Sequence, residues 1–261
     1  MYSLDALNAE LKGSSFSGKL HFSSVTGSTN ADAQAAALAG APHGSVWFAD
    51  EQTAGRGRGN HTWVSNAGQG LYVSILLRPQ MPIARLPLLP LAAGLAAMDA
   101  IESVSGLRGD LRWPNDLLIG ERKTGGILVE SKTAGEEIAF AIVGIGINVH
   151  QRAFAANLAT PATSLDLEAG RTVSRQDLLA ALLKSVEREN GLLLDAEAVK
   201  TVPARVAEAS TWIRGRHVEV HGPQACVGIT EGLDEHGFLR VRTADGIATV
   251  QTGGIRAAQA G

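Results

Sequence analysis

The chain has a single cysteine, Cys226, among 261 residues, which excludes an intramolecular disulfide and fits a reducing compartment. Long apolar runs are missing too. The longest, Leu86 to Ile101, is alanine-rich, carries a proline and an aspartate, and falls short of the roughly 20 apolar residues a membrane span needs. The N-terminus, MYSLDALNAELKG, has no basic segment leading into an apolar one, so no secretory signal is expected. Positive charge is not in excess: a formal net charge of −3 and a pI near 6.2 argue against a protein devoted to polyanions. The seven histidines show no metal-ligand spacing, and there is no repeat or low-complexity tail. These absences predict a cytoplasmic protein with no DNA partner, no membrane partner and no resident metal. Length and a 45% hydrophobic content allow one substantial domain plus a small one.

What is present is concentrated between Glu51 and Trp63, EQTAGRGRGNHTW. Gly55, Gly57 and Gly59 allow positive φ and a close backbone approach, while Arg56 and Arg58 offer forked donors suited to phosphate and carboxylate groups. Arginine–glycine runs also occur in flexible nucleic-acid-binding tails. Here the run joins two apolar stretches, SVWFA (45–49) and LYVSILL (71–77), so it reads as a loop between core strands. Such loops are where binding residues gather.

Ser28 and Thr29 precede ADAQAAALA, which predicts a helix capped by one of them and ended by Gly40. A long buried helix is expected over Leu86–Ser103 with Pro90 near its first turn, and another after Ser174 through about Leu194, with Leu178, Leu179, Leu182, Leu183 and Val186 on one face. Strand character marks 110–113, 117–119, 126–130 and 138–148. From Trp212 short strand-like runs separated by glycine-containing turns suit a small SH3-like β-barrel, with a boundary near residue 211. The fold class is α+β, a sheet with helices packed against it.

Further motifs follow in order: GSTN (27–30), the EQTAGRGR loop with its tryptophan, RWPNDLLIGERKTGGILVES (112–131) and VGIGINV (143–149). Their order resembles biotin protein ligases, enzymes that biotinylate carboxylase subunits. The resemblance implies a class II aminoacyl-tRNA synthetase-like catalytic domain over 1–211 with a mixed sheet, and an SH3-like domain over 212–261. It implies biotin and ATP as substrates with Mg2+, a biotin carboxyl carrier domain as acceptor, and a possible homodimer.

Joining a carboxylate to a lysine amine requires activating the carboxylate, and adenylation by ATP does so through a mixed anhydride. The resemblance sets Lys123 against the carboxylate and α-phosphate, with Arg58 and Asp116 beside it as catalytic candidates. It assigns Ser28, Thr29, Asn30, Gln52, Arg56, Gly57, Arg58, Lys123 and Gly126 to biotin. Gly55, Arg56, Arg58, Trp63, Asn115, Lys123 and Asn148 go to ATP and the adenylate. From propensity alone, Lys123 with Gly125 and Gly126 reads as a solvated hairpin turn, Asn115 and Asp116 as a turn after Pro114, and Trp63 equally as core. GIGIN lacks the third glycine of a dinucleotide fingerprint and follows no βαβ pattern. Cys226 reads as a buried structural thiol.

Only about 25 residues precede GSTN, so a ligase without an operator-binding domain is expected. Gly59, Asn60, His61 and Thr62 supply fewer cations after the loop arginines than some relatives carry. Two rivals remain: a lipoate ligase or octanoyl transferase of the sister family, and a non-catalytic biotin sensor.

Overall fold

The computed structural model describes residues 2–59 and 61–258. A short helix α1 (Leu4–Glu10) leads into strand β1 (Leu20–Thr26), helix α2 (Thr29–Leu38) and strands β2 (Val46–Gln52) and β3 (Gly70–Leu77). A 3-10 turn then runs into helix α3 (Leu89–Ser105), followed by β4 (Asp110–Arg112), β5 (Asp116–Ile119), β6 (Arg122–Ala134) and β7 (Glu137–Asn148). The seven strands form one mixed sheet in the order β1-β2-β3-β7-β6-β5-β4, parallel at β1/β2 and antiparallel elsewhere. β3 is buried along its whole length, as a run apolar but for Ser74 requires of a strand covered on both faces.

One face is covered by α3, which packs on α5 (Arg175–Leu194) and on β6. The α5 apolar stripe is fully buried as expected, and Ser174 Oγ accepts from the Asp177 amide as its cap. The continuous helical stretch Ile83–Ser105 spans 23 residues, longer than expected, and by length and composition could cross a bilayer. Burial of most of α3, with Asp99, Glu102 and Ser103 left exposed, makes it a core helix instead. On the other face, Ala33 and Ala37 of α2 meet Leu76, Phe140 and Ile142. Helices α4 (Leu165–Ala169) and α6 (Val202–Ala209) complete the larger unit.

Strands β8 (Arg214–His221), β9 (Cys226–Leu233), β10 (Leu239–Thr243), β11 (Gly246–Val250) and β12 (Gly254–Ala257) form the small antiparallel SH3-like sheet, in the order β11-β10-β9-β8-β12. Several expectations are corrected. Residues Lys123–Gly126 lie inside β6, and the hairpin turn falls at Gly120–Glu121. Cys226 is half-buried, with burial still enough to push its thiol pKa up. Of the three loop glycines only Gly59 takes a positive φ. The expected neighbour Asn60 lies outside the described residues.

Candidate active site

The signature segments converge on one cleft of about 1030 Å³ between the C-terminal half of the sheet, the arm that carries the arginines, the segment after β7 and the edge of the small sheet. The arm is a folded hairpin. Gln52 and Trp63 amides donate to Ser65 and Gly55 carbonyls at 3.0 and 2.9 Å, and Gly57 N donates to His61 O at 2.7 Å. Gly55 does not line the cleft; it lies behind it, where a methyl group would sit 2.3 Å from the Trp63 carbonyl. Its absent side chain lets the two arms of the hairpin meet.

At one end of the cleft the N-terminus of α2 supplies Ser28, Thr29 and Asn30, all buried. Ser28 occupies the N-cap position but its side chain makes no capping hydrogen bond. The Thr29 amide donates to Gln52 Oε1 at 2.9 Å, Gln52 Nε2 donates to Ser65 Oγ at 2.8 Å, and Ser74 Oγ lies 2.7 Å from Thr29 Oγ1 and 2.5 Å from Asn30 Oδ1. Asn30 Nδ2 donates to Glu130 Oε2 at 2.7 Å, the same oxygen that Arg56 Nη2 reaches at 3.0 Å. A small polar island is thus set in an apolar wall, as orientation-specific pockets require.

In the middle of the cleft Lys123 Nζ lies 2.5 Å from Asp116 Oδ1, while Arg112 donates to Asp116 Oδ2 at 2.6 and 3.2 Å. Burial is the largest influence on Asp116 and pushes its pKa up, but the Lys123 and Arg112 charges and hydrogen bonds outweigh it and hold the carboxyl below its ordinary value. It is therefore an anion at neutral pH, paired with both Lys123 and Arg112. The Lys123 ammonium also lies 5.6 Å from the centroid of the Trp63 ring. That half-buried ring lies over Gly146, where a methyl group would come within 2.6 Å of Nε1.

Arg58 Nη1 donates to Asn115 Oδ1 at 3.2 Å and to the Gly253 carbonyl of the small sheet at 2.8 Å. Burial lowers its pKa, with the Asp116 charge opposing. Among the described residues it touches no carboxylate directly. Asn148 Nδ2 donates to the Thr163 carbonyl at 3.1 Å, and its Oδ1 accepts from Gln151 at 3.2 Å.

Gly144, Gly146 and Asn148 alternate along β7 and share its cleft face. Asn30 lies over the first and Trp63 over the second, which sets the polar island at one end and Asn148 at the other. Among the described residues no group of three or more His, Cys, Asp or Glu side chains is placed to hold a metal.

Three residues that matter here escaped the sequence reading. Ser74 is a serine inside an otherwise apolar, fully buried strand, and Arg112 is a nearly buried arginine next to WPND; both are residue types whose burial demands a partner. Glu130 closes KTGGILVE and gives no local signal, since its partners are 100 and 74 residues away.

A model of the biotin/lipoate A/B protein ligase family matches residues 22–148, and one of the biotin protein ligase C terminal domain matches 214–255. The chain is 34% identical over 244 residues to the bifunctional ligase/repressor BirA of Bacillus subtilis, covering 90% of this chain and 73% of that protein. It is 35% identical over 225 residues to a biotin–[acetyl-CoA-carboxylase] ligase of Paracoccus denitrificans, covering 83% and 91%. The biotin protein ligase of Aquifex aeolicus, solved with biotin and ATP, superposes with a TM-score of 0.79 at 29% identity over 92% of this chain and 100% of that one.

Proposed function

The chain belongs to the biotin/lipoate A/B protein ligase family, and from that premise we infer that it is an ATP-dependent biotin protein ligase whose Lys123, held by Asp116, carries the charge stabilisation of the adenylation step. A biotin carboxylate oxygen attacks the α-phosphorus of ATP, pyrophosphate leaves, and an acceptor lysine amine then attacks the acyl carbon and expels AMP. The observation that carries the assignment is the Lys123–Asp116–Arg112 cluster at mid-cleft, between the polar island and Asn148.

The polar island suits a neutral ureido ring. Thr29, Asn30, Gln52 and Ser28 supply donors and acceptors there, and Gly126, where the atoms nearest to an added methyl group would be those of Lys123 and Trp63 at ordinary contact distances, keeps the wall low beside Lys123. Among the described residues Arg56, Arg58, Lys123 and Arg112 line the cleft against the carboxylate of Asp116, with Glu130 paired to Arg56 from behind its wall. That surplus favours an entering carboxylate and triphosphate. Among the described residues Arg58 is bound to the neutral oxygens of Asn115 and Gly253 and to no carboxylate, so it can turn to phosphate without breaking an ion pair there.

Both Asp116 oxygens are engaged by Lys123 and Arg112, so Mg2+ enters as part of the Mg–ATP substrate, carried mainly by phosphate oxygens and water. Trp63 and the arm around Gly57 shield the adenylate from water. The acceptor is the biotin carboxyl carrier domain of a carboxylase. Pyrophosphate release from Mg–ATP tests the reading: it should require biotin, and release that instead follows lipoate or octanoate would move the protein to the sister activity.

A further inference from the structure

Glu130 lies on β6 seven residues beyond Lys123 and does not line the cleft. Yet its Oε2 is where two elements of the site meet. Asn30 Nδ2 donates to it from α2 at 2.7 Å and Arg56 Nη2 from the arm at 3.0 Å. Asn30 is buried and its other amide atom lies 2.5 Å from Ser74 Oγ. An amide that must donate to a carboxylate at one end and face a hydroxyl at the other has only one workable orientation. Continuing through Ser74, Thr29 and Gln52, the hydrogen bonds form one chain from the arm's base at Ser65 to the arm's arginine.

We propose that Glu130 is a positioning residue that couples the two halves of the biotin site: it fixes the Asn30 amide for ring recognition and anchors Arg56, so that the arm sits over the valeryl carboxylate and the adenylate. The proposal rests on the ligase reading above. The carboxylate form serves both ends. A charge-assisted hydrogen bond from Arg56 is roughly twice as strong as a neutral one, whereas the Asn30 bond needs only an acceptor oxygen.

Two substitutions therefore separate the roles. Glu130→Gln keeps an acceptor for Asn30 and loses the charge that holds Arg56; its KM for biotin should stay within about threefold of the unmodified enzyme, while biotinyl-adenylate escapes roughly tenfold faster. Glu130→Ala loses both ends, and its KM for biotin should also rise roughly tenfold or more, with the KM for ATP and kcat little changed.

The experiment measures biotin-dependent ATP–pyrophosphate exchange, release of labelled adenylate and the melting temperature for all three proteins, with Arg56→Ala and the Arg56→Ala/Glu130→Gln pair added. If Arg56 acts through Glu130, the pair leaks adenylate no faster than Arg56→Ala alone. Normal biotin KM in Glu130→Ala, normal adenylate retention in Glu130→Gln, or losses of kcat and both KM values that merely track the melting temperature would overturn the proposal. Absence of biotin-dependent exchange in the unmodified protein would overturn the ligase reading itself, which keeps the two failures distinct.

Discussion

Gly144→Ala puts the polar island to a direct test. Gly144 faces the cleft from β7, and a methyl group on it would sit 2.2 Å from Asn30 Oδ1, 2.9 Å from Cγ and 3.0 Å from Nδ2. Ordinary contact begins at 3.4 Å, so the amide must retreat by more than an ångström. The backbone cannot easily give way, because β7 is paired along this stretch to β3 on one side and β6 on the other. Asn30 must instead leave Glu130, Ser74 or both. A hydrogen bond to a charged group is worth about 1.5–3 kcal/mol and a neutral one about 1 kcal/mol. Overpacking itself costs typically about 1–3 kcal/mol of stability. If ring recognition depends on the held amide, losing about 1.5–3 kcal/mol of it raises the KM for biotin roughly 10- to 150-fold. The assay is biotin-dependent ATP–pyrophosphate exchange on protein whose fold is verified by circular dichroism, with the KM for ATP expected within about threefold of normal. An unchanged biotin KM in folded Gly144→Ala would refute the placement of the ring-binding end.

Other perturbations follow from the same geometry. Lys123→Met should lower the adenylation rate roughly 100- to 1000-fold, since it removes a donor aimed at developing charge, while equilibrium binding of biotin changes far less; isothermal titration and single-turnover kinetics separate the two. Asp116→Asn should remove a pH-dependent part of stability. The folded carboxyl is held below its unfolded value, so its contribution is fully present above about pH 4 and is lost as pH falls through the folded value; denaturant melts should show the two proteins converging on acidification. Trp212→Ala should cost about 3–5 kcal/mol, as expected for a large core aromatic. Trp212 is 2% exposed, with Arg216 at 4.3 Å and Arg112 at 5.3 Å from its ring, so kcat should also fall as Arg112 loosens from Asp116.

The parts of the fold legible in the sequence were those whose pattern is local. LYVSILL declares a strand buried on both faces, and the leucines of α5 declare its stripe. β1, with LHFSSVT, was missed because an edge strand exposed along most of its length has no clean alternation to read. The segment around Lys123 was ambiguous for the opposite reason: two consecutive glycines signal a turn, but Gly125 is needed because a side chain there would meet the Gly146 carbonyl at 2.8 Å across the sheet. In the cleft, residue types and order pointed to the chemistry through the family resemblance. The bonds that tie the cleft together, Arg58 to Gly253 and Asn30 to Glu130, span 195 and 100 residues, and no local pattern reports them.

In the proposed reaction the Lys123–Asp116 pair activates biotin as its adenylate for transfer to a carrier lysine. The most direct measurement is transfer of radiolabelled biotin from Mg–ATP reactions to a purified biotin carboxyl carrier domain, with Lys123→Ala in parallel. Label on the carrier that depends on ATP and disappears with Lys123→Ala is the predicted result. Carrier labelled by lipoate or octanoate but not biotin, or full transfer by folded Lys123→Ala, would contradict the account.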